Sequence, residues 1–492
     1  MTPNAPSATL YLGLDVGTQS TKALLIDTAN KIVVARAQHG YGLLAGLPPG
    51  HMEQHPDTWI EAVQLVAQQV LRGIDPAQVA GIGVSGQQHG CVVLDAEDRV
   101  VRPAKLWCDT STAAEAQELS RQLGQPVPAG FTASKLLWLR RHEPANWERV
   151  RAVLLPHDYV NFRLTGRKTM EAGDASGTGF FAARTRTFDL AAVARIDPRL
   201  AAMLPPLLQA GEPAGFLSAA GAQLLSLRPG TPVAAGGGDN MMAAIGSGAT
   251  RPGVVVVSLG TSGTVFTHSE RPVIDPHGLI APFCSSTGGW LPLLCVMNLT
   301  GVAEEVRAAF GLDHEALTAA AAQVAPGCGG LLWLPFLDGE RVPDLPTATG
   351  TLLGMRHGLL RPGHLYRAAL EGTSLNLGWG LDRMRALGIA VGEVRLVGGA
   401  AGNALWRQIL ACVFAVPVVR LAEAEAAALG AALQAAWTVR RLAGESVSAD
   451  AVAGPFVRIE GAATAPEPQG VAAYRELATR FRGEVGRLHG AR

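Results

Sequence analysis

Two aspartates in this chain stand where a carboxylate could do chemistry. Asp15 ends an apolar run that begins at Leu10, and Gly17 and Thr18 come after it before a second apolar run through Ile26. This pattern predicts a strand–turn–strand hairpin with a carboxylate at its tip. Small residues let backbone N–H groups approach a phosphate closely, and Asp15 is placed to hold a metal ion directly or through water. An ordinary Asp-Gly-type turn fits the same residues. The pattern recurs over residues 254–266, with Gly260 and Thr261 in the turn and Ser258 in place of the carboxylate. Two such hairpins predict a duplicated architecture with a nucleotide between its halves and a metal carboxylate in one half only.

Asp239 comes directly after Gly236, Gly237 and Gly238, which leave an apolar strand, and a helical run begins after it. Asp is favoured as a helix N-cap, and a helix start also favours its ionised form. An ionised Asp239 can take a proton from an alcohol during phosphoryl transfer, so the two readings are compatible. Gln87, Gln88, His89 and Gly90 lie between two apolar strands. Their side chains can donate to and accept from a polyol, or they form a polar turn around a satisfied histidine. Gly398, Gly399, Ala400 and Asn403 leave a strand and enter a helix. They make either a tight turn or a surface on which a flat ring or ribose can lie.

Other motifs fail on context. Gly81, Gly83 and Gly86 spell Gly-x-Gly-x-x-Gly, but they sit in a strand-loop-strand pattern, where a dinucleotide site needs a helix. No P-loop and no protein-kinase motif set occurs. His51 and His55 share a helical spacing, but Pro56 comes at once and no third ligand is near in sequence, so they read as non-metal residues.

The elements that must position these groups alternate. A helix is expected over residues 57–71 with Asp57 as its cap, strands over 79–84 and 92–95, and further helices around Leu119, 134–141 and 159–164. Residues 203–207, 211–215, 228–232 and 461–468 read as loops. The class is α/β, and the halves are expected to divide near residues 247–252, as 1–248 and 249–492. At 492 residues with 48% hydrophobic composition, two or three domains are expected. Charge balances at 41 basic against 41 acidic residues, with no long basic tract. Nucleic acid and anionic membranes are therefore not expected partners. The six cysteines are scattered and read as reduced thiols. The first seven residues show no signal-peptide pattern and no apolar run is long enough to span a bilayer, so a cytoplasmic protein is expected.

Together these pieces resemble the FGGY carbohydrate kinases over nearly the whole chain. Asp15, Val16, Gly17 and Thr18 are similar to the family's first phosphate motif, residues 260–263 to its second, and Gly398, Gly399 and Ala400 to its adenosine motif. Residues 130–139 and a stretch from Gly350 through Glu371 resemble longer family signatures. The resemblance implies two actin-like, hexokinase-like (ribonuclease H-like) ATPase domains flanking a cleft. It implies ATP and Mg²⁺, with Asp15 toward the metal and Gly17, Thr18, Gly260, Thr261, Gly398, Gly399, Ala400 and Asn403 around the nucleotide. It implies Asp239 as catalytic base and Gln88, His89, Asp239 and Asn240 around the sugar. The stretches at 86–90, 106–109, 155–159 and 339–343 are similar to those of members that phosphorylate D-xylulose at its terminal hydroxyl. Another pentulose or a polyol as acceptor, or a non-catalytic sugar sensor, are the alternatives on the same fold. A homodimer is compatible with these residues.

Overall fold

The computed structural model describes residues 9–490. The expectation about the first seven residues lies outside them. The chain runs β1 (Leu10–Val16), β2 (Ser20–Asp27), β3 (Ile32–Gly40), α1 (Pro56–Val70), β4 (Val79–Gly86), α2 (Thr132–His142), α3 (Pro156–Thr165), α4 (Ala172–Ala175), β5 (Pro213–Phe216), β6 (Pro232–Ala234) and α5 (Asp239–Gly246). It continues with β7 (Gly253–Leu259), β8 (Gly263–Thr267), β9 (Ala281–Cys284), β10 (Trp290–Val296), α6 (Pro362–Ala386), β11 (Val391–Val397), α7 (Ala404–Phe414), β12 (Val418–Leu421), α8 (Ala426–Leu442), β13 (Ile459–Thr464) and α9 (Pro468–His489).

Two sheets of seven strands carry the fold, in the orders β5-β6-β4-β1-β2-β3 and β9-β10-β8-β7-β11-β12-β13, with Gly237–Gly238 as a short extra strand beside β4. In each sheet a hairpin and a third antiparallel strand stand on one side, and on the other two parallel strands continue before an antiparallel edge strand. The duplication expected from the two hairpins is thus present over six strands of each sheet, with β9 added to the second, and the lobes have the ribonuclease H-like arrangement. β1 is apolar at nearly every position because both of its faces are covered. Leu10, Leu12, Leu14 and Val16 join Trp59 of α1 and Val160 of α3 in one core, while Tyr11 faces the alanines of α8 in another.

That second core joins the halves. Helix α8 comes from the C-terminal half yet lies on β1 and β4 of the first sheet and against α5. Its approach is so close that side chains are excluded. A Cβ on Gly13 would stand 2.0 Å from the Ala428 carbonyl oxygen, one on Gly83 1.9 Å from Ala431 O, and one on Gly430 1.8 Å from Met242 O. Gly13 and Gly83 are paired neighbours on β1 and β4 and form one bare strip. The Gly-x-Gly-x-x-Gly spelling is therefore a packing device, with Gly86 admitting the backbone of His157 at 2.8 Å in the same way. β4 indeed leads into a loop and then a strand.

Three local expectations are corrected. His55, not Asp57, caps α1: its ring nitrogen accepts from Asp57 N at 3.3 Å, because Pro56 takes the first helical position, where a missing N–H costs nothing. Residues 211–215 and 461–468, read as loops, overlap the edge strands Pro213–Phe216 and Ile459–Thr464. Proline is tolerated at the start of an edge strand, and the exposed side chains of 459–463 erase the alternation that marks a half-buried one. Among the described residues, no helix is long and apolar enough to cross a membrane, and all six cysteines are free.

Candidate active site

Asp15 lies on β1 between Ser85 of β4 and Lys22 of β2, its register neighbours. Ser85 Oγ donates to its Oδ1 at 2.7 Å, and Lys22 Nζ binds Glu425 of the second half at 2.6 Å. Burial holds the Asp15 carboxyl above its usual range, against the pull of Ser85 and Lys22. At the hairpin tip, Gly17 N–H donates to Ser20 O at 3.0 Å, so this amide, expected to face phosphate, closes the turn. Gly260 N–H does the same toward Ser262 O at 3.2 Å. Thr18 is held from three sides: Gln54 Nε2 donates to its carbonyl at 2.6 Å, its hydroxyl donates to Gln87 Oε1 at 3.1 Å, and the exposed Trp107 donates Nε1–H to that hydroxyl at 3.0 Å.

Asp239 is the first residue of α5, and the cap is Gly238. Its Oδ1 accepts from Asn240 N at 2.7 Å and Asn240 Nδ2 at 3.0 Å. Burial, then repulsion from Asp15, pushes its carboxyl up to about 7. The helix start favours the ionised form by about 0.3–1 kcal/mol, which is smaller than what burial and a like charge cost. Asn240 ties the site together. Its Nδ2 donates to Gln88 Oε1 at 2.6 Å, and Thr264 Oγ1 of β8 donates to its Oδ1 at 3.2 Å. Gln88, Asp239 and Asn240 are thus in one place, at the seam where the second hairpin meets the first half.

His89 comes next after Gln88, with φ +59°, and turns its ring inward. Its Nδ1 lies 3.0 Å from Asp174 Oδ1, between the rings of Phe131 at 5.0 Å and Phe283 at 5.4 Å. Behind Asp174 stands His157, with Nδ1 3.2 Å from Asp174 Oδ2 and Nε2 2.9 Å from Asp158 Oδ1. Burial works against its charge, yet the two carboxylates hold its pKa well above 6.5. A base with a raised folded pKa adds stability that is full below its unfolded pKa and fades as pH climbs through the folded one. The wild-type advantage over His157→Asn in denaturant midpoint is therefore expected to be greatest below 6.5 and to shrink above it; an advantage that grows with pH would contradict a charged His157.

The second half supplies a cavity of ≈ 840 Å³ lined by Gly260, Thr261, Gly399, Ala400 and Asn403, with Glu304, Tyr366 and Trp406 among the other walls. Gly398 does not line it. With φ +93° and a would-be Cβ 2.6 Å from Leu259 O, it makes the turn that sets Gly399 in place. Asn403 caps α7 through Trp406 N at 3.1 Å and braces Thr318 at 2.9 Å. Glu340, from the 339–343 stretch, accepts from Met297 N at 2.6 Å and also from Asn298 and Asn376. It fastens the strand exit that leads to Thr300 on the cavity wall.

His51 does have carboxylate neighbours, Glu53 and Asp109. However, Lys105 Nζ sits among them, 3.2 Å from His51 Nδ1, 3.0 Å from Glu53 and 3.2 Å from Asp109. A lysine ammonium fills the position a cation would need, and the non-metal reading stands. Ser85, Asp174 and Thr264 were not found by sequence reasoning. Ser85 was findable from strand pairing with Asp15; Asp174, in the bland run Gly173-Asp174-Ala175, carried no signal.

Two ribonuclease H-like lobes, a Gly-Thr hairpin from each, and a buried carboxylate at their seam give the chain the actin-like, hexokinase-like architecture. The model of the FGGY family of carbohydrate kinases, N-terminal domain, matches residues 10–246, and that of its C-terminal domain matches residues 255–439. The chain belongs to the FGGY family of carbohydrate kinases. It is 41% identical over 446 residues to the xylulose kinase of Haemophilus influenzae, covering 87% of this chain and 90% of that one. It is 41% identical over 459 residues to the xylulose kinase of Streptomyces coelicolor, covering 91% of each. The crystal structure of a kinase from Brucella ovis, described as a xyloylose kinase, superposes with TM-score 0.91 at 32% identity, over 98% of this chain and 99% of that one.

Proposed function

We propose that this kinase phosphorylates D-xylulose at its terminal hydroxyl with ATP, giving D-xylulose 5-phosphate. The observation that carries the reading is the carboxyl of Asp239 at the seam, bonded through Asn240 to Gln88 on one side and to Thr264 on the other. The sugar lies against Gln88, His89 and Asn240, with the exposed indole of Trp107 as an apolar face for its C–H bonds. Adenosine lies in the cavity beside Gly399, Ala400 and Asn403, and the phosphates run past Gly260 and Thr261 toward Thr18. Asp239 takes the proton as the hydroxyl attacks in line. A pKa near 7 suits that task, since a base works best close to the operating pH. Closing the lobes expels the water that would otherwise compete as acceptor. The division at residue 248 gives each lobe one substrate.

Asp15 and Asp239 belong to the same half; burial raises both carboxyls, and repulsion from Asp15 raises Asp239 further. Two such groups fit a divalent cation, and Asp15 would hold Mg²⁺ directly or through water. Bound there, the ion would neutralise phosphate charge and bring Asp239 back toward its ionised form. Asp15→Ala is expected to weaken Mg-ATP binding more than sugar binding; equal loss of both by calorimetry would argue against the metal role.

The acceptor is tested by coupled ADP release across D-xylulose, L-ribulose, D-ribulose, glycerol and gluconate. D-Xylulose is expected to give the highest kcat/KM. A higher value for another acceptor would move the assignment to it, and sugar binding without ADP release would make the protein a sensor.

A further inference from the structure

We propose that Asp174 is a positioning residue for sugar recognition: it holds His89 with Nδ1–H toward its carboxylate and Nε2 as the acceptor presented to a sugar hydroxyl, and a latch from the second lobe sets it in place. The sugar contact rests on the function proposed above; the state of the ring does not.

One oxygen of Asp174 serves His89 twice. It accepts the backbone N–H of His89 at 3.4 Å and lies 3.0 Å from the ring Nδ1, which has no in-line hydrogen-bond partner among the described residues, so Asp174 is the nearest acceptor that nitrogen can turn to. The left-handed backbone of His89, at φ +59°, folds the residue back so that both groups reach the same atom. The other oxygen faces His157 Nδ1 at 3.2 Å, and Asp158 stands behind that ring. The backbone N–H of His89 on one oxygen and the His157 ring on the other hold the carboxylate facing the His89 ring. This fixes the hydrogen-bonding roles. An ionised carboxylate only accepts, so the His89 nitrogen facing it carries the hydrogen. In a neutral imidazole the second nitrogen, Nε2, is then an acceptor. Nε2 has no protein partner among the described residues, so a ligand hydroxyl can claim it. The ring lies on bare backbone at Gly177, where a Cβ would stand 1.7 Å from His89 Cε1.

Asp174 belongs to the short helix α4, and the second lobe grips that helix at both ends. Glu171 caps it, accepting from Gly173 N at 2.7 Å and Asp174 N at 2.6 Å. Ser286 Oγ reaches across from the second lobe to the same Glu171 carboxylate at 2.9 Å. Cys284 N donates to Ser176 Oγ at 3.0 Å, just beyond the helix. Phe283, next in line, walls His89 itself. The segment from Phe283 to Ser286 therefore links the arrangement of the lobes to the direction in which His89 accepts.

The direct test is the ¹⁵N–¹H correlation spectrum of the His89 imidazole in the sugar-free enzyme, assigned with His89→Gln. The Nδ1–H form is expected in the wild type. Asp174→Asn, whose carboxamide can donate, is expected to shift the ring toward Nε2–H. It is also expected to raise the sugar KM by about 10–100-fold, the range for a lost bond to a charged group, with the ATP KM within about 2-fold. Ser286→Ala keeps the Asp174 carboxylate but removes the bond from the second lobe to Glu171, and is expected to raise the sugar KM by a smaller factor, so the proposal stays testable if Asp174→Asn does not fold; an unchanged sugar KM would overturn the latch. An Nε2–H form in the wild type overturns it, as does an Asp174→Asn enzyme with unchanged ring state, or one in which both KM values rise equally. If the wild type turns over no sugar while the Nδ1–H form is present, it is the proposed function that fails.

Discussion

Asp239→Asn is expected to lower kcat by about 10²–10⁴-fold, the span for a lost general base, while sugar affinity stays near that of the wild type. The geometry accounts for both halves of this result. Among the described residues the carboxyl accepts only from its neighbour Asn240, both bonds falling on Oδ1, so the other oxygen is free for the attacking hydroxyl. Asparagine keeps the size and can keep the Asn240 contact, so the Gln88–Asn240 bond at 2.6 Å survives and the sugar wall with it. What is lost is the site that receives the proton. The variant also carries no titrating group at this position, so the acid limb of its kcat/KM profile is expected to vanish along with the rate. Steady-state ADP release and calorimetric titration with sugar check the two halves separately. Turnover within a few-fold of the wild type would remove Asp239 from this role.

Gly83→Val is expected to be the most damaging substitution outside the seam. Its Cβ would meet the carbonyl oxygen of Ala431 at 1.9 Å, and backbone in the middle of α8 has no way to swing aside. Overpacking a core typically costs about 1–3 kcal/mol when side chains can adjust. Here they cannot, and α8 must lift off both β4 and its neighbour β1. Loss of soluble folded protein, or a large drop in melting temperature, is the expected result. Gly81→Ala is the matched control. Its added Cβ meets first the Cγ2 of Val439, at 3.0 Å, at the end of a side chain. It should be far milder; equal damage from the two would mean that strand propensity, and not the approach of α8, is what these glycines serve.

The parts of this molecule legible in its sequence are the ones whose signal is local. Each phosphate hairpin is written within about one strand length on either side of a Gly-Thr turn, and both fold as expected. Asp239 comes after three glycines and opens a helix, so its position was readable from adjacent residues. Its charge was not. Protonation depends on burial and on Asp15, which lies far away in the chain and near in the fold. The same distance hid the setting of His89: Asp174 is 85 residues from it in sequence, and Glu171 is 115 residues from Ser286. Gly17 illustrates a different failure. A turn glycine was correctly expected there, but whether its N–H faces a ligand or closes the hairpin depends on the geometry of the turn, which composition does not report. The loop and strand after Gly86 cleared the glycines at 81, 83 and 86 of dinucleotide binding, yet their actual use needed a helix more than three hundred residues downstream.

The most direct measurement is a structure of the closed enzyme with D-xylulose, Mg²⁺ and a non-hydrolysable ATP analogue. The terminal hydroxyl of the sugar should lie within hydrogen-bond distance of an Asp239 carboxylate oxygen and in line with the third phosphorus. A filled, closed cleft with the Asp239 side chain turned away from that hydroxyl would contradict the account.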